Sequence, residues 1–360
     1  MTDTVLTLPR FEVPARFGSN TSYLTWEIDR LRLWVEAWSE LHEAPDAVTA
    51  CDELMLLGRA TREAVIESRA RSAAAGTPLA FDELVTRLGL TPLQEEVLLV
   101  AVCASLSEPL RQRLLAVQGG GIARTLELEL GFVAELLRPS LARRPTELSW
   151  SLPVSPLRAH GLLQIEAPSG GPSGPGDFLR HTVRVAQFVG QAVQGLAVVD
   201  HRVQPFCKLD GQRIGLESVV LPRETLAQVN TFISAFRLRA STPRLRQLNW
   251  TLLLAGERRS GKTLLAQGMA TAFERPRFEL DVEPLSRRHD AAELIRLALH
   301  NAHYFGAVLH VLRPEFATAQ SPAFGALLEA VGSYPGLVIL EPHHAESMDK
   351  AFEHVVTHTL

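Results

Sequence analysis

The chemistry most plainly written in this chain lies in eight consecutive residues, Gly256-Glu257-Arg258-Arg259-Ser260-Gly261-Lys262-Thr263. The spacing G-x-x-x-x-G-K-T lets small residues turn successive backbone N–H groups inward around a row of phosphates. Lys262 can then reach the β and γ oxygens, and the Thr263 hydroxyl can meet Mg²⁺. The flanks suit the same purpose. The apolar run Thr251 to Ala255 reads as a strand entering the loop, and Leu264 to Phe273 as a helix whose positive N-terminal end points at the anion. A site for ATP and Mg²⁺ is therefore expected at Gly256, Arg258, Arg259, Ser260, Gly261, Lys262, Thr263 and Leu264, with Thr263 touching the metal. The plainer alternative is an ordinary strand-to-helix turn.

Such a loop needs a sheet to hold it. From Leu248 onward, apolar runs at Thr251 to Ala255, Phe278 to Val282, Ala307 to Leu312 and Gly336 to Leu340 alternate with helical stretches. That alternation predicts a parallel α/β sheet with its ligand at the carboxyl ends of the strands. The chain before it reads as mostly helical. Helices are expected from Tyr23, over Ala47 to Arg71, Phe81 to Leu88, Pro92 to Ser105 behind the cap Thr91, and Glu108 to Val117. The stripe of Trp26, Trp34 and Trp38 on the first of these marks a core-facing or partner-facing side. Ala159 to Ile165 reads as a turn leading into a short strand, Phe178 to Gly190 as helical again, and Glu224 to Arg239 as an amphipathic helix. The expected organisation is a disordered tail at 1–20, a helical, winged-helix-like domain at 21–165, a Gly/Pro/Ser linker at 166–177, a helical connector at 178–247 and the nucleotide-binding core at 248–360.

Bulk properties exclude several classes. A formal net charge of −4 and a pI near 6.3 give no global basic field for nucleic acid. No apolar run reaches the roughly 18 to 20 residues of a membrane span, and the N-terminus lacks signal-peptide architecture, so a cytoplasmic protein is expected. Cys51, Cys103 and Cys207 are widely spaced and read as small apolar residues in a reducing compartment.

Taken as an ordered set, several segments resemble a bacterial AAA ATPase with an N-terminal helical and winged-helix region, of the kind associated with contractile injection systems. They are LGLTPLQEEVLLVA from Leu88, SPLRAHGLLQIE from Ser155, VVLPRETLAQV from Val219, LLLAGERRSGKTLLAQGMA from Leu252, YFGAVLHV from Tyr304 and GLVILEPHHAESMDKAF from Gly336. The resemblance implies a P-loop NTPase of AAA type and protein partners, either injection-particle components or an active AAA paralogue. It also exposes departures. The strand equivalent to Ala307–Val311 should end in adjacent acids, one supporting Mg²⁺ and one polarising the attacking water, yet Leu312 and Arg313 stand there. Glu315 lies close but behind Pro314, which makes it a weak catalytic candidate. His343 occupies the sensor position that normally holds an amide facing the γ-phosphate. No arginine finger follows Phe352, no aromatic-Gly pair lies between Leu285 and Leu299, and the sequence ends at Leu360, where a lid would begin. These losses together imply an ATP-binding pseudo-ATPase acting in assembly or regulation. The competing expectations are a slow ATPase completed by a paralogous partner and an interaction scaffold with a relic P-loop.

Other groupings read as less eventful. His300 with His303 share a helical face and His343 adjoins His344, but no Cys or carboxylate stands beside them at ligand spacing. Arg237, Arg239, Arg244 and Arg246 suit a solvated helix end. Arg111, Arg113 and Arg124 make at most a modest patch, and DNA binding is not expected.

Overall fold

The computed structural model describes residues 11–41, 47–119, 127–137, 145–167, 177–196, 198–240 and 250–360. The first part of the expected tail, most of the expected linker, and Arg124, Arg244 and Arg246 lie outside them. The chain divides into two compact units, Met1–Val198 and Val199–Leu360. The division falls inside 178–247, the stretch read as a helical connector.

The first unit is built on helices α1 (Asn20–Leu41), α2 (Ala47–Ala74), α3 (Ala80–Leu88), α4 (Pro92–Leu106) and α5 (Glu108–Gln118). Strand β1 (Leu128–Glu129), α6 (Leu130–Leu137), α7 (Pro156–Ala159), β2 (Leu163–Glu166), β3 (Thr182–Val185) and α8 (Gln187–Ala192) complete it. Beyond its polar first turn helix α4 is apolar almost all round, and Val97 through Ala104 are all buried, which puts it at the centre of the unit. Its start is fixed by a reciprocal capping box between Thr91 and Gln94. The tryptophan stripe faces inward: Trp34 and Trp38 are buried and donate to Leu136 O and Glu135 O of α6, at 3.0 and 3.4 Å. Gly58 of α2 lies under Trp34, where a Cβ would stand 2.8 Å from the ring.

Two expectations fail in this unit. Residues 11–19 are packed rather than a free tail: Phe17 is buried edge-on against Tyr23, and its N–H donates to Ser72 Oγ. The stretch Phe178 to Gly190 is not one helix, because Thr182–Val185 is the central strand of an antiparallel sheet ordered β1-β3-β2. Two β-branched valines separated by an outward arginine suit a half-buried strand, and the partner strands settle the choice.

The second unit contains β4 (Cys207–Asp210), α9 (Arg223–Ala240), β5 (Trp250–Leu253), α10 (Lys262–Ala272) and β6 (Arg277–Asp281). It continues with α11 (Ala291–Tyr304), β7 (Val308–Leu312), α12 (Pro322–Ser333), β8 (Leu337–Glu341) and β9 (His358–Thr359). The four expected strands are present as β5, β6, β7 and β8. Two more were not foreseen. The six-stranded sheet is ordered β4-β6-β7-β8-β5-β9, with β4 antiparallel to β6 and the other pairs parallel. The chain thus leaves β5, crosses two neighbouring positions and returns at β6, and the carboxyl edge beside β5 is where such a sheet forms its crevice. Leu252, Leu254, Leu265, Ala266 and Met269 pack with Phe232 and Phe236 of α9 to bury the inner face of α10.

Candidate functional site

The loop from Gly256 to Gly261 joins β5 to α10 at that edge and is exposed from Gly256 through Ser260. Its path depends on left-handed backbone at three positions: Gly256 (φ +132°), Arg259 (φ +69°) and Gly261 (φ +92°). Glycine supplies the first and last at no steric cost, and Arg259 carries the strain of the middle one. Gly261 directly precedes α10, so the open N–H groups of Lys262, Thr263 and Leu264 face out at the positive end of the helix. Leu264 offers only this backbone group, since its side chain packs against the core. Lys262 is buried and donates from Nζ to Gly256 O at 2.6 Å and to Glu257 O at 2.9 Å. The ammonium therefore sits in the hollow of its own loop, with carbonyl dipoles holding it where phosphate oxygens would compete for it.

The Thr263 hydroxyl is accessible and partnered by a residue that the sequence reading did not single out. Glu341, the last residue of β8, accepts from Thr263 Oγ1 at 2.8 and 3.0 Å. Burial alone would raise the Glu341 carboxyl, but the His310 ring, the Thr263 hydroxyl and the Lys262 ammonium outweigh it and hold the group below its ordinary range. The carboxylate is thus ionised beside the loop. The signal was present in the sequence as an acid closing the otherwise apolar run GLVILE. Linear spacing does not reveal which strand lies next to β5, however, and that adjacency is what brings Glu341 to Thr263.

Beneath the loop, one face of the sheet carries a buried polar row. His310 of β7 is fully buried, with Nε2 2.9 Å from Glu341 Oε2. Its Nδ1 lies 3.3 Å from Arg277 Nη1. Arg277 in turn bonds Asp210 at 3.0 Å and Glu279 at 2.9 Å, and Gln267 of α10 reaches Asp210 at 3.3 Å. Arg277 also donates to Thr263 O at 3.4 Å, which ties β6 to the first turn of α10.

The other expected site residues gather elsewhere on the edge. Arg313 takes a left-handed backbone (φ +56°) and swings to Asp281 and Glu283 with both ends of its guanidinium. Glu315 lies in the short turn Pro314–Phe316, where its Oε1 accepts from His343 N at 3.0 Å and stands 3.7 Å from His343 Nδ1. Glu315 and His343 are therefore partners of each other, while Glu341 is the carboxylate on Thr263. Arg258 and Arg259 are exposed on the loop rim. Among the described residues no group of three or more His, Cys, Asp or Glu is arranged to hold a metal ion by itself. No helix described is long and apolar enough to cross a membrane.

The model of a protein family described as the winged helix domain, variant, matches residues 22–207, just over half of the chain. The chain belongs to that family. The match ends at Cys207, so β3 and α8, read from sequence as connector, fall within it. No curated protein matches. Among solved structures, the AAA domain of FIGL-1 in complex with ADP is similar at 15% identity, covering 44% of this chain and 57% of that one, with a TM-score of 0.37. A structure titled "Structural Basis for Katanin Self-Assembly" is similar at 15% identity over 46% and 60%, TM-score 0.37. The FIGL-1 AAA domain in a further crystal structure gives 14% over 45% and 60%, TM-score 0.38. The chain spans 57 to 60% of the length of these structures. Scores this low carry no argument about function, which rests on the site's own geometry.

Proposed function

We propose that the second unit binds ATP, with Mg²⁺, on the Gly256–Thr263 loop, as an AAA-type core joined to the winged-helix unit. The observation that carries this reading is the loop itself: three left-handed residues cup the Lys262 ammonium at the open N-terminus of α10, on the carboxyl edge of a parallel sheet. Lys262 would meet the phosphates, the free N–H groups of α10 would line them, and Thr263 would meet the metal. Mg²⁺ supplies neutralisation of phosphate charge when bound.

Hydrolysis is impaired in this reading, because β7 ends in Leu312 and in an Arg313 committed to Asp281 and Glu283, so that no acid from this strand faces the loop. The protein then serves as a nucleotide-dependent assembly or regulatory factor working through protein partners. The resemblance of its segments to AAA ATPases of contractile injection systems suggests such a particle as the setting.

Differential scanning fluorimetry with ATP and Mg²⁺ tests the binding. Ligand at about 100 times its Kd stabilises the folded state by about 2.7 kcal/mol, a shift of several degrees. Lys262→Ala should abolish the shift, and a wild-type protein that shows none with ATP, in Mg²⁺ or in EDTA, would remove the reading. Phosphate release measured on the same samples should stay at background.

A further inference from the structure

We propose that Glu341 is the metal-facing carboxylate of this site, supplied by β8 in place of the acid that β7 lacks, and that His310 is its positioning residue. The inference rests on the nucleotide reading above and deepens it. Leu312 and Glu341 are direct partners across the parallel β7–β8 ladder, so their side chains stand side by side on one face of the sheet. The negative charge missing from the end of β7 is present one strand closer to β5. It stands at hydrogen-bond distance from the hydroxyl that a metal ion would take as ligand. Mg²⁺ keeps several of its waters and takes only one or two protein oxygens, so a carboxylate at this place need only accept from those waters.

The row below Glu341 explains how the carboxylate is held. Arg277 can only donate, so His310 Nδ1 is the acceptor and the ring proton belongs on Nε2, facing Glu341. That N–H lies off the line to Oε2 despite the 2.9 Å separation, so the contact is electrostatic rather than an aligned hydrogen bond. His310 itself is anchored through Arg277 to Asp210 and Glu279. Hydrogen-bonded groups behind a ligand carboxylate fix its direction and typically carry a tenfold or larger share of metal affinity. Lys262 and Thr263 serve phosphate and metal from the loop side, and Glu341 serves the metal from the sheet side.

The test is a titration of the full-length chain with ATP carrying a fluorescent ribose label, in excess Mg²⁺ and in EDTA, with thermal melts of each variant without nucleotide. Wild type should bind more tightly in Mg²⁺. Glu341→Gln keeps the shape and should bind no more weakly than wild type in EDTA, where the carboxylate only repels phosphate, while losing on the order of tenfold of the Mg²⁺ enhancement. Glu341→Asp should lose less. In the Glu341→Gln background, Leu312→Asp should restore the enhancement, because the charge returns on the adjacent strand. His310→Gln should retain most of the Mg²⁺ effect and His310→Leu should lose it, with affinity in EDTA unchanged in both. Loss of affinity to the same degree in Mg²⁺ and EDTA, or a Glu341→Gln protein as responsive to Mg²⁺ as wild type, overturns the assignment. A Glu341→Gln protein that fails to fold leaves Glu341→Asp to decide, since an unchanged Mg²⁺ enhancement there with a shortened carboxylate also overturns it. Wild-type binding indifferent to Mg²⁺ sinks Glu341 alone, whereas wild type that binds no nucleotide in either condition sinks the nucleotide reading with it.

Discussion

At Leu312 and Arg313 the residue types alone suggest a simple repair: replacing both with acids should recreate a metal and water site. The geometry argues otherwise. Arg313 neutralises Asp281 and Glu283, so Arg313→Glu leaves three carboxylates together and removes the cation that holds the left-handed turn. Leu312→Asp adds a fourth beside Glu341, its ladder partner. We expect the Leu312→Asp/Arg313→Glu double variant to lower the melting temperature measurably at neutral pH and to recover partly at acidic pH, without turnover. A variant as stable as wild type would show that these charges are better separated than the ladder implies. At the loop, Gly261→Ala should cost about 1 to 3 kcal/mol, read as a lower urea midpoint, because the open space around it does not relieve a φ of +92°. The strand, loop and helix around Gly256–Thr263 were legible in the sequence because their signals are local. Glu341 was not, because its relation to Thr263 exists only through strand order.

The same division holds for the elements. Helix α4 was legible from Thr91 to Ser105, since the cap, the proline behind it and the apolar run all lie within one short window. Thr91→Ala should accordingly destabilise the first unit by about 1 kcal/mol, visible in its denaturant midpoint with no change in nucleotide affinity. Strands β3, β4 and β9 were not legible. Each has two to four residues, too short for a period to emerge, and each is strand only because a partner is beside it. For β9 that partner is β5, and the His358 ring stacks on Trp250 with centroids 4.7 Å apart. The stretch after Phe352, Glu353 to Val356, read only as a place without an arginine finger, has a structural use: it leads the chain back to the edge of β5. Thr357 bonds Thr251 at both backbone and side chain on the way.

Across the whole molecule, His160 in the first unit and Asp200 and Asp210 in the second are displaced in different pH ranges, and the two units should respond to acid in different pH windows. In the first unit, burial lowers the His160 pKa below its ordinary 6.5. Below that value the unfolded chain takes up a proton that the folded chain resists, so this contribution to stability is present above about pH 6.5 and is lost as pH falls toward the folded-state value. In the second unit, Asp200 and Asp210 lie below their ordinary 3.8. Burial would raise both, but Arg202 for Asp200, and the Gln212 N–H with Arg277 for Asp210, outweigh it. Their contribution is intact above about pH 5 and is lost only as pH falls below 3.8 toward the folded values. Hydrogen exchange followed by mass spectrometry on the full chain reads the units separately. We expect protection in the first unit to decline as pH falls below about 6.5 while the second unit holds, and the second to fail only as pH falls below about 3.8, after correction for intrinsic exchange rates. His160→Gln should flatten the first decline, and Asp200→Asn should weaken the second unit at neutral pH and flatten its acid response. A single transition shared by both units, unmoved by His160→Gln, would show that acid acts on groups other than these three.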